Sequence, residues 1–206
     1  MQSAYASTAK AFSVIRPRRR IGIDVDEVLT PFCRPMFERA GHKWPKGKWP
    51  YHYASILGIS QTDSSRMVYD FYDSQEFADL KPLSGAQVGL SFLKALDYDV
   101  YIITGRQDRV RHKTEEWVER HFPGVVRDVI LTNSFTSSST SKTAICKSLA
   151  ISALVDDSYQ ACMECECEHI KGINYVGDPV YPWCEENALA AHNWDEVTGI
   201  VSRLIQ

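Results

Sequence analysis

The chain has 206 residues, 44% of them hydrophobic and 24% charged, with a net charge of −3. Those values suit one soluble globular domain with room for a small insertion, and give no push toward nucleic acid. No apolar run approaches the ~18–20 residues a bilayer span requires, which excludes an integral membrane protein.

Charge is unevenly spread. Residues 1–23 hold five bases (Lys10, Arg16, Arg18, Arg19, Arg20) and no acid, leaving 18 bases against 26 acids and a net of −8 for the rest. Two readings fit residues 1–19, which are also rich in Ser and Ala: an organellar transit peptide, or a disordered basic extension. A secretory signal does not fit, because no continuous apolar stretch precedes a cleavage site. The six cysteines are poorly spaced for a disulfide framework. Reduced thiols and an intracellular, cytoplasmic location are expected, or a mitochondrial or plastid matrix if the head is a transit peptide.

Beyond the head, short β-branched runs alternate with amphipathic stretches. Strands are expected at Arg20 to Asp24, Asp99 to Thr104, Arg127 to Leu131, Ala153 to Val155 and Gly172 to Val176. Between them fall helical patterns. Ser84 to Leu96 has a capping-box spacing from Ser84 to Gln87 and an apolar stripe of Val88, Leu90, Phe92, Leu93 and Leu96. Gln107 to His121 follows and is stopped by Pro123-Gly124. Lys142 to Leu149, Ser158 to His169 and Asp195 to Ile205 complete the set. This order predicts an α/β fold, a parallel sheet flanked by helices. About 70 residues separate the first strand from Asp99, far more than one crossover helix needs. Residues 33–82, rich in aromatics, are therefore read as a small helical insertion, with 20–32 and 83–206 forming the α/β core. Ser134 to Ser141 is a low-complexity loop.

The strongest chemical signal is Asp24-Val25-Asp26-Glu27-Val28. An apolar strand delivers two carboxylates at its C-terminal end, where open α/β sheets bind ligands. Acids so close raise one another's pKa unless a cation lies between them, and Mg²⁺ takes oxygen ligands of this kind. A second strand ends in Thr104-Gly105-Arg106, whose hydroxyl and backbone N–H groups suit a phosphate oxygen. Lys142 opens a helix as a point charge for phosphate. A further strand ends in Asp156-Asp157, a second candidate pair of metal ligands.

Taken in this order, the four pieces resemble the haloacid dehalogenase (HAD) superfamily. The insertion falls where that superfamily places its C1 cap. Ile145-Cys146-Lys147, Leu154-Val155-Asp156-Asp157, Tyr181-Pro182-Trp183 and Trp194-Asp195-Glu196-Val197 further resemble the 5′(3′)-deoxyribonucleotidase group. Glu27 stands where that group commonly has glycine, and Pro31 where it often has an acid. Gly105-Arg106 is not its usual continuation after Thr104, and Cys184 takes the place of a frequent asparagine.

The resemblance implies a Rossmann-like core and a Mg²⁺-dependent phosphomonoesterase acting on nucleoside or deoxynucleoside monophosphates. Asp24 would be the nucleophile and Asp26 the general acid and base. Asp24, Asp26 through its backbone carbonyl, Asp156 and Asp157 would hold Mg²⁺, and Thr104, Gly105 and Lys142 the phosphoryl oxygens. Trp44, Trp49 and Tyr53 are candidates for stacking on a base, although aromatics in a small lid also form its own core. Arg106 would touch phosphate or ribose, or pair with a helix carboxylate.

The Cys162, Cys165, Cys167 and His169 run has the wrong spacing for a usual zinc site and is read as partly exposed thiols on a helix. Cys33 and Cys146 are read as core thiols. The expected partner is a small phosphate monoester, with no nucleic-acid polymer and no membrane, and the chain acts alone or as a homodimer. Three alternatives stay open: a phosphatase for another small phosphometabolite, one for a phosphoprotein, and a non-catalytic binding scaffold.

Overall fold

The computed structural model describes residues 18–185 and 189–204. Most of the basic head, and with it the transit-peptide reading, lies outside them. Among the described residues no helix is long and apolar enough to cross a membrane.

Six strands form one parallel sheet in the order β3-β2-β1-β4-β5-β6. They are β1 (Arg19–Ile23), β2 (Tyr98–Thr104), β3 (Val126–Leu131), β4 (Ala153–Asp156), β5 (Lys171–Tyr175) and β6 (Ala190–Ala191). The helices are α1 (Cys33–Arg39), α2 (Tyr53–Leu57), α3 (Gln61–Tyr72), α4 (Gln75–Ala78), α5 (Ala86–Ala95), α6 (Arg111–His121), α7 (Lys142–Ser148), α8 (Tyr159–Cys167) and α9 (Trp194–Arg203). The five expected strands are present, and β6 adds a short edge strand.

The central strands are mostly apolar where both their faces are covered. Ile21, Ile23, Val100, Ile102 and Val155 pack with Leu90, Leu93, Val197 and Trp194 in one layer. Tyr101, Ile103 and Leu154 pack with Cys146 and Cys165 in the other. The inserted helices α1–α4 surround a separate aromatic cluster built on Phe32, Phe37, Trp49, Phe71, Tyr72 and Phe77. Two hydrogen bonds tie the chain's way in to its way out: Thr30 Oγ1 to the Lys81 carbonyl at 2.9 Å, and Leu83 N to the Leu29 carbonyl at 2.7 Å.

Several local expectations are corrected. α5 begins at Ala86, not Ser84, because Gly85 takes up the left-handed conformation and caps it. Gln87 is free of any capping box and donates to the His121 carbonyl instead. The buried face of α5 is Ala86, Gly89, Leu90 and Leu93, while Val88 and Phe92 are exposed. α6 starts at Arg111 after a single 3₁₀ turn, Asp108–Val110. All six cysteines are free. Cys162 and Cys165 are fully buried, not partly exposed, because α8 turns that face onto β5, and Cys167 points outward.

That contact depends on Gly172. A Cβ there would lie 2.5 Å from the Cys162 carbonyl oxygen, a backbone atom that cannot swing aside. Gly172→Ala is expected to cost about 1–3 kcal/mol through overpacking. Thermal denaturation should show Tm several degrees lower, and an unchanged Tm would mean that α8 shifts freely.

Candidate active site

The register of the sheet brings the acids together. Ile23 on β1 pairs with Val155 on β4, so Asp24 and Asp156 leave neighbouring strands side by side. Asp24 N still donates to the Val155 carbonyl at 3.0 Å. The chain then curls tightly, with Leu29 N and Thr30 N both donating to the Val25 carbonyl. Glu27 occupies the left-handed region at φ 62° in this turn. Its carboxylate accepts from Phe32 N at 2.8 Å and from Cys33 N at 2.6 Å, the start of α1. Tyr181 clamps the same residue by donating its hydroxyl to the Glu27 carbonyl at 2.9 Å.

Carboxylate oxygens of Asp24, Asp156 and Asp157 lie within 4.8 Å of one another, and all three residues are buried. Lys142, at the start of α7, reaches two of them: 2.9 Å to Asp24 Oδ2 and 2.6 Å to Asp156 Oδ2. Ser158 N donates to Asp156 Oδ1, and the Trp183 indole to Asp157 Oδ2 at 2.8 Å. Two oxygens remain, Asp24 Oδ1 and Asp157 Oδ1, buried and with no hydrogen-bond partner among the described residues.

Electrostatics mark the same spot. Burial pushes the Asp24 carboxyl up to about 7, helped by Asp156 and Asp26 and opposed by Lys142. Burial first, then Asp156 and Asp24, also holds Asp157 well above the carboxylate range. Lys142 stays charged, because the two acids outweigh its burial. One ammonium does not satisfy three buried carboxyl groups, and burial holds Asp24 and Asp157 toward their protonated forms, the chemistry of a hard-cation site with oxygen donors. The donor set fits Mg²⁺.

Asp24 and Lys142 floor a cavity of about 500 Å³, within the range for small-molecule sites. Asp24, Asp26, Gly105, Arg106 and Lys142 line it from the core, and Tyr53, Ser64 and Tyr69 from the inserted helices. The loop after β3 adds Ser134, Phe135 and Ser141. Ser141 also caps α7 by accepting from Ala144 N, which sets the helix start that carries Lys142.

Residues 18–205 match the sequence model of a family described as 5′ nucleotidase, deoxy (pyrimidine), cytosolic type C. The chain belongs to this nucleotidase family. It is a phosphatase with the HAD-type α/β fold. A HAD-superfamily hydrolase from Ehrlichia chaffeensis shares the fold at a TM-score of 0.55, with 15% identity over 93% of this chain and 100% of the other. A predicted phosphatase from Clostridium acetobutylicum does so at 0.65, with 11% identity over 90% and 99%. A HAD family hydrolase from Deinococcus radiodurans, with bound phosphate and sodium, does so at 0.63, with 10% identity over 91% and 96%. No individual curated protein matches the sequence.

In this nucleotidase the sequence-derived candidates divide. Asp24, Asp156, Asp157 and Lys142 converge. Asp26 lines the cavity, but its side chain stands apart from the three-carboxylate cluster, turned to Arg106. Thr104 is fully buried at the end of β2, and its Oγ1 accepts from Arg106 N at 3.3 Å. Trp44 and Trp49 do not face the main cavity. They pack on each other and on Trp183, at ring-centre distances of 5.2, 6.3 and 5.0 Å. Trp49 also lines a small side pocket with Tyr53, Asp157 and Trp183. Tyr53 does line the cavity. Arg106 pairs with Asp26, a turn carboxylate, and not with one on a helix. Trp183 and Glu27 were missed as site residues. Trp183 reaches Asp157 from a distant segment, and the Glu27 carboxylate reaches amides five and six residues on, a spacing that matches no standard capping pattern.

Proposed function

We propose that this phosphatase hydrolyses nucleoside or deoxynucleoside monophosphates, uses Mg²⁺, and passes through an aspartyl-phosphate on Asp24. The observation that carries the reading is the pair of buried, unpartnered oxygens, Asp24 Oδ1 and Asp157 Oδ1, in the carboxylate cluster that Lys142 joins, with Asp24 and Lys142 opening onto an aromatic-walled cavity. Asp24, Asp156 and Asp157 would hold the cation, with the Asp26 backbone carbonyl as a further oxygen. Bound there, Mg²⁺ supplies positive charge that lets an anionic phosphate approach an anionic nucleophile.

The chain's own groups do the rest. An Asp24 oxygen forms a bond to phosphorus as the bond from phosphorus to the ester oxygen breaks. Asp26 gives its proton to the departing alkoxide. Water then attacks the phosphorus of the aspartyl-phosphate, Asp26 takes its proton, and inorganic phosphate leaves with Asp24 restored. Lys142 and the Gly105 amide hold phosphoryl oxygens. The Thr104 hydroxyl keeps its own proton to donate, because its oxygen already accepts from Arg106 N. Residues 33–82 act as the lid, and Tyr53, Tyr69 and Tyr72 offer rings to a base. A cavity of about 500 Å³ walled on one side by residues 33–82 favours a small ester over a phosphoserine on a folded protein.

Phosphate release from nucleoside monophosphates, sugar phosphates and a phosphoserine peptide tests this, with Mg²⁺ and with EDTA. Turnover of nucleotides that EDTA abolishes and Mg²⁺ restores is expected. Turnover confined to sugar phosphates or to the peptide would sink the substrate assignment, and EDTA-resistant turnover the cation.

A further inference from the structure

Arg106 sits two residues beyond β2 and is 2% exposed. A buried guanidinium needs a counter-charge and acceptors for its N–H groups. Its Nε lies 3.1 Å from Asp26 Oδ2, and its Nη2 lies 2.6 Å from Asp26 Oδ1. Its Nη1 donates to Thr114 Oγ1 on α6 at 3.2 Å. Its charged carbon lies 4.7 Å from the centre of the Phe77 ring on α4. Three separate elements therefore hold one planar group, and two of its N–H groups fork onto one carboxylate. A guanidinium held this way cannot turn to a phosphate without releasing Asp26.

We infer that Arg106 is the positioning residue for Asp26. The fork fixes the direction of the Asp26 carboxylate and keeps it away from the Asp24, Asp156 and Asp157 cluster. A free carboxylate two residues from that cluster would be drawn to any cation held there. It would then be a ligand and no longer stand by the leaving oxygen. The inference rests on the proton-transfer role given to Asp26 above. A lysine could supply the charge but not the fork, so geometry and not charge alone is the requirement. Because Phe77 belongs to the inserted helices, the same contact also ties the aim of Asp26 to where those helices sit.

The test compares leaving groups. A nucleoside alkoxide is strongly basic and departs only with a proton, whereas p-nitrophenolate departs without one. The values of kcat and KM are measured on a nucleoside monophosphate and on p-nitrophenyl phosphate. The proteins compared are wild type, Asp26→Asn, Arg106→Met, Arg106→Lys, Thr114→Val and the Asp26→Asn/Arg106→Met double variant, each with its Tm. Arg106→Met is expected to lower kcat on the nucleotide about 10- to 100-fold, with KM changed less than about threefold and a smaller loss on p-nitrophenyl phosphate. Arg106→Lys should fall near it. Asp26→Asn should show the same split, and the double variant should be no worse than Asp26→Asn alone.

Thr114→Val loosens the guanidinium without touching Asp26, so it should give a weaker form of the split even if the Arg106 variants fold poorly. Raised KM on both substrates, with weaker inhibition by inorganic phosphate, would make Arg106 a phosphate ligand and overturn the inference. Equal kcat losses on both substrates, or losses that add to those of Asp26→Asn, would overturn it too. Should wild type cleave p-nitrophenyl phosphate and no nucleotide, the substrate assignment fails separately. The split is then read on the best alkyl phosphate, and it decides the role of Arg106 there.

Discussion

Asp24→Asn is expected to cut kcat by at least about 10⁴-fold, since an amide oxygen does not replace the attacking carboxylate. The same substitution has an expected effect on stability, with opposite sign. Burial pushes the Asp24 carboxyl up to about 7, from 3.8 in the unfolded chain, so folding favours its protonated form. The stability this gives is complete below about pH 3.8 and is lost as pH rises through about 7. The cation-free protein should therefore show a falling Tm between pH 5 and 8. Asp24→Asn should flatten that fall, because its neutral side chain has no charge to bury. Some slope will remain, as Asp157 is pushed up for the same reason. Saturating Mg²⁺ should reverse the wild-type slope and leave the variant little changed. The measurement is Tm against pH for both proteins, in EDTA and in Mg²⁺. Parallel curves in EDTA would remove Asp24 as the source.

Lys142→Met is expected to be the most destabilising single change in the site. The ammonium is the partner of both Asp24 and Asp156, at 2.9 and 2.6 Å. Removing one member of a buried charge network costs about 3–5 kcal/mol, because the partners stay buried and unpaired. For a chain of this length that corresponds to a Tm lower by roughly 10 °C. Mg²⁺ should restore more of the lost stability in the variant than it adds to wild type, since the cation takes over the missing charge. Catalysis should nevertheless stay about 10²–10³-fold down at saturating Mg²⁺, because the donor to the phosphoryl oxygens is gone. A Tm within about 2 °C of wild type in EDTA would show that the carboxylates are neutral without the lysine.

Apart from Lys142, which opens α7, the parts of the site that sequence could show lie at strand ends. Asp24 after β1 and Asp156-Asp157 at β4 follow apolar runs, and the side-chain pattern of a buried strand is local. That β1 and β4 are neighbours is not local, and the structure shows it. Partnerships across the fold were out of reach. Arg106 and Asp26 are 80 positions apart, and Asp157 and Trp183 are 26 apart. Aromatic content of the insertion was plain, but periodicity cannot tell a ring that faces a cavity from one that faces another ring. Trp44 packs on Trp49 and Trp183, Trp49 also lines a small side pocket, and Tyr53 lines the main cavity. Burial of Cys162 and Cys165 depended on a glycine in the strand beneath them, which no helix pattern displays.

The paired bonds at Thr30–Lys81 and Leu29–Leu83 also bear on how such a molecule can change over generations. The two chain segments that feed the inserted helices already lie a hydrogen bond apart on the core side. A short turn could close them with little displacement of β1 or α5, and a different helical cassette could be spliced at the same seam. Asp24, Asp156, Asp157 and Lys142 all lie outside that seam. Ester preference can therefore drift by exchange of the cassette while the phosphorus chemistry is inherited intact. The Arg106–Phe77 contact and the packing of Trp49 on Trp183 are exceptions, crossing points where any replacement cassette must bring its own ring.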